Sequence, residues 1–489
     1  MNSYIAIDLG TSGVKLLLIE DNGHILAERT ESYPIYHPHP EWSEQNPEDW
    51  WNAVKSGLKK LLDGHDGHSV KGISFAGQMH GLVAMDKDGN VIRPCILWND
   101  GRTEKQTKYL NERVGQEKLS VFTGNIAFAG FTAPKILWLK ENEPENFKKI
   151  SKILLPKDYL AFMLSGEYCS DFSDASGMLL LDVKNKRWSE EMCGICGIYG
   201  GQLPKLHESY EAIGNILPAL AKEFGLPEDV KIIIGAGDNA AAAIGTGTVG
   251  KGKCNISLGT SGTIFLSNDK FTVDGKNALH SFCHADGGWH LMGCILSAAS
   301  CRKWWLEDIL NSTDYEKDEL DVASAQTDGL IFLPYLSGER SPHNDVKAKG
   351  AFIGLTSTTT RAQMSRAVME GVAFALRDCL EVANSGGLSV TQATICGGGA
   401  KSKVWREITA NILNLPVSVP KTEQGPAYGA AILAMVGCGE YEDVSTAINK
   451  LVELKAEIKP EKQAAELYDK KYQLFKKLYP LLKDTFSQM

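Results

Sequence analysis

Short stretches of alternating apolar and polar residues, which are typical of β-strands, flank a five-residue turn that occurs twice in the chain. The turn LGTSG occupies residues 9–13 and again 258–262, about half of the 489-residue chain apart. An alternating stretch precedes each copy, at 4–8 and at 253–257, and another strand-like stretch follows each. Because the neighbours match as well as the turn, the pattern predicts a duplicated architecture in which a strand, this turn and a second strand open each half.

Strand and helix patterns alternate along the rest of the chain, as they do in α/β proteins. Three short apolar stretches predict buried strands that end in glycine-containing turns, at 71–76, 230–234 and 392–396. Residues 360–384 show the apolar stripe of a long helix, and residues 461–483 predict a charged surface helix. The apolar face of that last helix is predicted to consist of Leu467, Tyr472, Leu474 and Leu478.

The duplication predicts two domains, fewer than the three that length alone suggests at about 150 residues per domain. We expect the boundary in the glycine-rich segment 245–253, with the domains covering residues 1–247 and 248–489. Each domain would then contain one copy of LGTSG close to its beginning.

Composition excludes several classes of function. The chain carries 51 basic and 60 acidic side chains, and its net charge of −9 argues against binding to nucleic acid or an anionic membrane, which both need a basic face. No uninterrupted apolar stretch approaches the roughly 18 residues of a membrane span. The 11 scattered cysteines and the absence of a signal peptide predict a cytoplasmic protein with reduced thiols. Cys193 and Cys196 form a C-x-x-C without a second ligand pair, which favours a structural role.

The two LGTSG turns have the composition of phosphate-binding loops. Their glycines permit tight backbone geometry, so the N–H groups and hydroxyls of Thr11 and Ser12 can converge on an anion, as can those of Thr260 and Ser261. Asp8, before the first turn, could face a phosphate favourably only through a cation, which predicts a Mg²⁺ site. Two such loops could hold the β- and γ-phosphates of a nucleotide, and two ordinary hairpin turns are the alternative.

A candidate base lies in the segment GAGDN, directly after a buried strand and at the start of an alanine-rich helix, where ligands bind in α/β sheets. Its Asp238 could instead be an N-cap, with Asn239 as a competing cap. A third glycine turn, GGGAKS at 397–402, also follows a strand and opens a helix, so a base or a ribose could approach its backbone closely. Together with the two loops and a cation, these are the parts that phosphoryl transfer needs.

Two polar loops are candidates for the site of the phosphate acceptor. GQMHG at 77–81 and LWNDGR at 97–102 combine hydrogen-bonding groups with an aromatic ring, a mixture that suits a polyhydroxylated ligand. The alternatives are a structural role for His80 and an ordinary ion pair between Asp100 and Arg102.

These motifs resemble the FGGY carbohydrate kinase family, within the actin-like, ribonuclease-H-fold ATPase superfamily, over essentially the whole chain. Further residues that carry the resemblance are PEWSEQNPEDWW at 40–51, GFTAPKILWLKEN at 130–142, LLPKDYL at 154–160, SDASGMLLLDV at 173–183, FLPYLSGERSPH at 332–343 and GAFIGLTSTTTRAQMSRAVME at 350–370. The second and the last of these stretches are similar to the two family-wide signatures.

The resemblance implies an α/β fold of two actin-like (ribonuclease-H-like) domains with a central interdomain cleft. GQMHG and LWNDGR point, within the family, to ATP-dependent phosphorylation of D-xylulose to D-xylulose 5-phosphate, which would feed xylose catabolism into the pentose phosphate pathway. By matching positions, the resemblance implies that Asp238 is the catalytic base and that Asp8 is the carboxylate associated with Mg²⁺. The residues implied to contact the sugar are Met79, His80, Asp238 and Asn239. Those implied to bind ATP are Thr11, Ser12, Gly13, Thr260, Ser261, Gly398, Gly399 and Ala400.

Two other functions stay open at this point. The first is a kinase for another sugar or polyol, such as ribulose, glycerol or gluconate, because substrate choice depends on few hydrogen bonds. The second is a non-kinase actin-like ATPase whose output is conformational, which would need a polymer-forming surface or a client-binding domain. The sequence leaves the oligomeric state open, with a homodimer among the alternatives.

Overall fold

The computed structural model describes residues 1–422 and 424–489. The chain forms two compact units: unit 1 contains Met1–Val249, Ser281–Trp289 and Gln424–Val452, and unit 2 contains Gly250–His280, His290–Glu423 and Glu453–Met489. Two segments from the second half of the sequence therefore belong to unit 1. The division into residues 1–247 and 248–489 stays a prediction.

Strands and helices alternate along much of the chain. The strands are β1 (Ser3–Leu9), β2 (Gly13–Glu20), β3 (Ile25–Ser32), β4 (Glu44–Gln45), β5 (Val70–Gly77), β6 (Val83–Met85), β7 (Cys95–Ile96), β8 (Lys152–Leu154), β9 (Cys169–Asp171), β10 (Leu181–Asp182), β11 (Arg187–Trp188), β12 (Lys205–His207), β13 (Ala212–Asn215), β14 (Lys231–Ile233), β15 (Ala236–Gly237), β16 (Lys253–Leu258), β17 (Gly262–Asn268), β18 (His280–Cys283), β19 (Trp289–Ile295), β20 (Ile331–Leu333), β21 (Ala351–Ile353), β22 (Gln392–Cys396), β23 (Val417–Pro420) and β24 (Leu454–Ile458). The α-helices are α1 (Pro47–Leu62), α2 (Glu104–Lys108), α3 (Gln116–Thr123), α4 (Thr132–Asn142), α5 (Pro144–Lys149), α6 (Pro156–Ser165), α7 (Phe172–Ala175), α8 (Glu190–Cys196), α9 (Pro218–Phe224), α10 (Asp238–Gly245), α11 (Ala299–Lys303), α12 (Tyr315–Ser324), α13 (Arg361–Ser385), α14 (Lys403–Leu413), α15 (Gly425–Cys438), α16 (Val444–Leu451) and α17 (Lys462–Phe486). Among the described residues, no helix is long and apolar enough to cross a membrane.

The sheet of unit 1 places the ends of its parallel strands at one edge. Its strand order is β13-β14-β5-β1-β2-β3, and β15 also pairs with β5. The first LGTSG is the turn of the antiparallel hairpin β1–β2, in which Leu9 faces Val14. β1, β14 and β15 all run parallel to β5. Ala76 of β5 is paired with Asp8 of β1 and also with Ala236 of β15, so the residues that follow β15 lie near Asp8 at the carboxyl edge.

The sheet of unit 2 repeats this arrangement. It contains the strand order β19-β17-β16-β22-β23-β24, and the second LGTSG is the turn of the antiparallel hairpin β16–β17. β22 runs parallel to both β16 and β23, and β24 is antiparallel to β23. In unit 1, β5 likewise runs parallel to both β1 and β14, and β13 is antiparallel to β14, so β5, β1, β14 and β13 correspond in order to β22, β16, β23 and β24. The predicted duplication and the α/β class are confirmed, as are the predicted strands that correspond to β5, β14 and β22.

Both predicted long helices are present, but the apolar face of the last one was wrong in part. α13 starts with a capping box of Thr360 and Gln363. In α17, Leu467 and Leu474 are 65% and 53% exposed. The side chains of α17 that are buried in the core of unit 2 include Tyr468, Tyr472, Phe475 and Tyr479. Tyr472 was predicted on this face. A ring with a hydroxyl fits the interface better than leucine, because it fills apolar space and also reaches buried carboxylates such as Glu370, to which the Tyr468 hydroxyl donates over 2.8 Å.

In unit 1, helix α10 is held by direct backbone contact with helix α15. A Cβ at Gly429 of α15 would overlap the carbonyl oxygen of Ala241, and a Cβ at Gly245 of α10 would overlap that of Gly425. Both helices are rich in buried small residues, so their backbones approach closely. Since α10 begins at Asp238, this contact fixes the position of the candidate base.

Candidate active site

Asp8 and Asp238 form a pair of carboxylates at the carboxyl edge of the unit 1 sheet. Burial raises the pKa of Asp8 to about 7; the charge of Asp238 adds to this effect and Lys15 opposes it. Burial also raises the pKa of Asp238 to about 6, opposed by hydrogen bonds from the backbone and side-chain N–H groups of Asn239 over 2.7 and 2.9 Å. At neutral pH Asp238 is therefore a carboxylate that can accept a proton.

The donor set around Asp8 fits a Mg²⁺ ion that shares its coordination with a substrate. Mg²⁺ is usually held by one or two carboxylates, several waters and phosphate oxygens. Within the described residues, no group of three or more His, Cys, Asp and Glu side chains could hold a metal ion. An ion held by Asp8, water and phosphate is compatible with these residues.

His80 lies at the centre of a tight turn that directly follows β5. Its φ is +71°, and the Gly81 N–H donates to the Met79 carbonyl over 2.9 Å, which makes this a three-residue γ-turn. The imidazole Nδ1 lies 2.7 Å from the Gly177 carbonyl oxygen, and the ring stacks on Phe131 at 4.8 Å between centroids. A Cβ at Gly177 would overlap the imidazole. A left-handed backbone is unfavourable at a residue other than glycine, so these surroundings must hold the turn.

The structure brings the predicted sugar-binding residues together in unit 1. Met79 is buried, and a Cβ at Gly237 would lie 3.1 Å from the Met79 Cγ. Gly237 directly precedes Asp238 and Asn239, so the turn after β5 lies beside the start of α10. The roles of these residues stay predictions.

The first LGTSG loop is tied to two glutamines and a tryptophan whose parts in the site were not predicted. Gln45 Nε2 donates to the Thr11 carbonyl over 2.7 Å, and Trp98 Nε1 donates to the Thr11 hydroxyl over 3.0 Å. Gln78 Nε2 donates to Gln45 Oε1 over 2.9 Å. In the part of the chain that the structure describes, the N–H groups of Thr11 and Ser12 donate to no protein acceptor, as an anion-binding loop requires.

The second LGTSG loop, in unit 2, is fixed through its carbonyl groups. The Gly259 and Thr260 carbonyls accept hydrogen bonds from the N–H groups of Ala299 and Ala298 over 2.8 and 2.9 Å, at the start of α11. Thr260 and Ser261 are exposed, and for residues 1–422 and 424–489 no protein acceptor of their N–H groups is found. The loop therefore presents donors to solvent in the way that the first one does.

The glycine turn after β22 adjoins this second loop within unit 2. Gly397 has a φ of +86°, and a Cβ there would lie 2.8 Å from the Leu258 carbonyl oxygen, so only glycine fits. Gly398 is exposed and has open space where a Cβ would be, whereas Gly399 and Ala400 are buried. A flat ring could lie directly on the backbone at Gly398.

The loop at 97–102 offers a ligand fewer free polar groups than its sequence suggests, because Asp100 and Arg102 are bonded to each other. Arg102 Nε and Nη2 donate to both oxygens of Asp100 over 2.8 and 2.7 Å, and these side chains are 1% and 0% exposed. The guanidinium also lies 3.6 Å from the Trp42 ring centroid. The predicted ion pair is present, and Arg102 Nη1 also lies 2.7 Å from Glu44. Trp98 is exposed and is the residue of this loop that contacts the first LGTSG.

A fully buried ion cluster behind the carboxylate pair was also missed, because its members are spread over α6, β9 and α7. The cluster consists of Lys157, Asp158, Asp171 and Asp174. Lys157 Nζ lies 2.6 Å from Asp158 and 2.8 Å from Asp171. Ser173 accepts a hydrogen bond from the Gly237 N–H over 3.2 Å and donates to Asp171, so the cluster reaches the residue before Asp238. Burial raises the pKa of Asp174 well above its usual range, opposed by Lys157.

Family models match most of the chain. The N-terminal domain of the FGGY family of carbohydrate kinases matches residues 3–245, and the C-terminal domain of that family matches residues 254–438. The chain belongs to the FGGY family. The membership and the fold class expected from the motifs are therefore confirmed.

Relatives within the family include kinases for two different sugars. A xylulose kinase of Escherichia coli (strain K12) is 42% identical over 486 residues, which cover 98% of this chain and 99% of the relative. The solved structure of a xyloylose kinase from Brucella ovis has a TM-score of 0.95 at 40% identity and covers 99% of this chain and 100% of that one. A gluconate kinase from Lactobacillus acidophilus has the same TM-score of 0.95 at 28% identity, with 100% and 99% covered. The fold is thus shared by kinases with different sugars.

Proposed function

We propose that the protein transfers the terminal phosphate of ATP to the terminal hydroxyl of D-xylulose, giving D-xylulose 5-phosphate. The observation that carries this proposal is Asp238, a half-buried carboxylate beside the Met79–His80 turn, in a chain similar to xylulose kinases over nearly its whole length. A cytoplasmic location belongs to the same proposal and is supported by cysteines that are free thiols.

In this proposal Asp238 accepts the proton of the sugar hydroxyl. The freed oxygen forms a bond to the γ-phosphorus as the bond from that phosphorus to the bridging oxygen of ADP breaks. Met79, His80 and Asn239 orient the sugar, and Asp8 would hold Mg²⁺. The bound Mg²⁺ would neutralise negative charge on the phosphate oxygens. Thr11, Ser12 and Gly13 donate to phosphate in the way that an anion-binding loop does.

Unit 2 supplies the remaining nucleotide contacts of the proposal. Thr260 and Ser261 have exposed hydroxyls and N–H groups that can donate to phosphate oxygens. The exposed backbone at Gly398 can accept a flat ring, with Gly399 and Ala400 forming the turn beneath it.

A panel of sugars tests the proposal by coupled ADP release. We expect D-xylulose to give the highest kcat/KM, with product mass and phosphate position identifying the 5-phosphate. A preference for ribulose, glycerol or gluconate would replace the substrate and keep the mechanism. ATP hydrolysis that no sugar stimulates, without sugar phosphate, would favour the conformational ATPase instead.

A further inference from the structure

A buried lysine of unit 1, Lys135, is bonded to main-chain carbonyls next to the candidate sugar site. It lies in the first turn of α4, and its side chain is fully buried. Its Nζ donates to the His80 carbonyl over 2.8 Å and to the Gly130 carbonyl over 2.6 Å. Within the described residues, no carboxylate forms an ion pair with this amine. Burial lowers the pKa of Lys135 to about 7.

The burial of this amine is unfavourable in itself. An ammonium without a carboxylate partner loses its hydration, and carbonyl oxygens compensate only in part. A lysine at this buried position therefore needs a local compensation. The compensation lies in one of its acceptors, because His80 is the residue with the unfavourable φ of +71°.

The His80 carbonyl receives a second donor from the same helix. Thr132 Oγ1 donates to it over 3.0 Å, at the first residue of α4. Two donors on one carbonyl fix the peptide plane between His80 and Gly81, and the Gly81 N–H closes the turn onto Met79. Without these donors, only the imidazole contacts and the Gly81 N–H oppose a return of His80 to an ordinary negative φ, which would move both side chains that the turn presents.

We propose that Lys135 is a positioning residue that holds the γ-turn at His80 and so orients Met79 and His80 toward the sugar. The inference rests on the proposed function for what the turn binds. Lys135 acts through the backbone of the turn and does not contact the substrate.

The substitution Lys135→Met tests the role through the Michaelis constants. Methionine keeps the length and apolar stem of the side chain and removes the donor. We expect the KM for the sugar to rise by about tenfold or more while the KM for ATP stays within about twofold. The variant Thr132→Val, which removes only the weaker donor at a similar volume, should give a smaller rise in the same direction. Equal changes in both Michaelis constants, or none for the sugar, would overturn the inference.

A pair of substitutions at position 80 separates the backbone role from general packing. Glycine adopts a positive φ without steric cost, whereas alanine keeps the Cβ and its strain, and both lack the imidazole. Adding Lys135→Met should therefore raise the sugar KM strongly in a His80→Ala background and by at most about threefold in a His80→Gly background. Equal effects in the two backgrounds would show that Lys135 does not act through the strained turn.

Hydrogen exchange tests whether Lys135 holds the γ-turn at His80, without any turnover. The Gly81 amide closes the turn, so its exchange should be at least about tenfold faster in Lys135→Met than in the wild type. Unchanged exchange would overturn the inference even if the enzyme phosphorylates D-xylulose. If the wild-type protein phosphorylates no sugar but Gly81 exchange is faster in the variant, the proposed function is overturned and the positioning role of Lys135 in the γ-turn is supported.

Discussion

Asp238 is the residue on which the proposed chemistry depends. Its pKa of about 6 keeps it ionised at neutral pH and still basic enough to accept a hydroxyl proton as the transition state forms. We expect Asp238→Asn to lower kcat by about 10²- to 10⁴-fold, because the amide cannot accept that proton, while the dissociation constant for ATP changes little. Steady-state kinetics and calorimetric ATP titration check this, and near-normal turnover in the variant would exclude Asp238 as the base.

The same pKa sets the acid limb of the pH profile. Since the base must be ionised, kcat/KM for the sugar should fall about tenfold per pH unit below about pH 6. At saturating Mg²⁺, which keeps Asp8 ionised, the residual activity of Asp238→Asn should lack this limb. An acid limb that survives in the variant would belong to another group.

Asp8 illustrates the cost in stability of a partly buried charge. Its pKa in the folded protein, about 7, lies above the ordinary value of 3.8. The contribution of protonated Asp8 to the free energy of unfolding is therefore fully present below about pH 4 and is lost as the pH rises through about 7. Asp8→Asn should therefore raise Tm by a few degrees at pH 8 without Mg²⁺, and by less at pH 4.5. Thermal unfolding checks this, with Asp63→Asn at an exposed position as the control. A variant that is less stable at pH 8 would contradict the assigned shift.

At the scale of elements, the contact between α10 and α15 decides where the base stands. Gly429→Ala would place a methyl group on the Ala241 carbonyl, so we expect a loss of about 1–3 kcal/mol in the free energy of unfolding. Gly194→Ala, in α8, is the matched control: a Cβ there meets nothing within 4 Å, and alanine should stabilise that helix by up to about 1 kcal/mol. Urea unfolding measures both, and similar effects of the two substitutions would contradict the close contact.

At the scale of the whole molecule, the two units have the same strand order but different chemistry. Asp8 precedes the first LGTSG, whereas Ser257 holds the corresponding position before the second. The strand beside each hairpin, β5 or β22, leads into the His80 turn in unit 1 and into the glycine turn in unit 2. The duplicated frame thus carries the proposed sugar contacts on one copy and the proposed adenosine contacts on the other.

This division of roles predicts opposite kinetic effects for one substitution in each unit. His80→Ala should raise the KM for the sugar more than the KM for ATP. Gly398→Ala should raise the KM for ATP more than that for the sugar, and it should not change Tm, because a Cβ at this exposed position has open space. Initial-rate kinetics with both substrates varied distinguish the patterns, and the same pattern in both variants would contradict the division.

Local pattern was sufficient to predict the duplicated α/β frame. Alternating apolar residues determine strands. The two strands that flank each LGTSG turn pair with each other, so the paired residues are close in sequence and local pattern is enough to predict the hairpin. The family motifs also identified Asp8, Asp238 and the Met79–His80 segment, and the fold brings these residues of unit 1 to one edge of the sheet.

Contacts between distant segments decided the rest. The left-handed turn at His80 depends on donors from α4 and on a glycine at 177, and no neighbouring residue encodes that strain. The inward face of α17 depends on buried carboxylates of another helix: the Tyr468 hydroxyl donates to Glu370 over 2.8 Å, whereas Leu467, which periodicity favoured, is exposed. Sequence by itself determined which elements form, because propensity and periodicity act between close neighbours. Only the tertiary structure decided backbone strain, buried charge and pKa, because these depend on groups that the fold brings together.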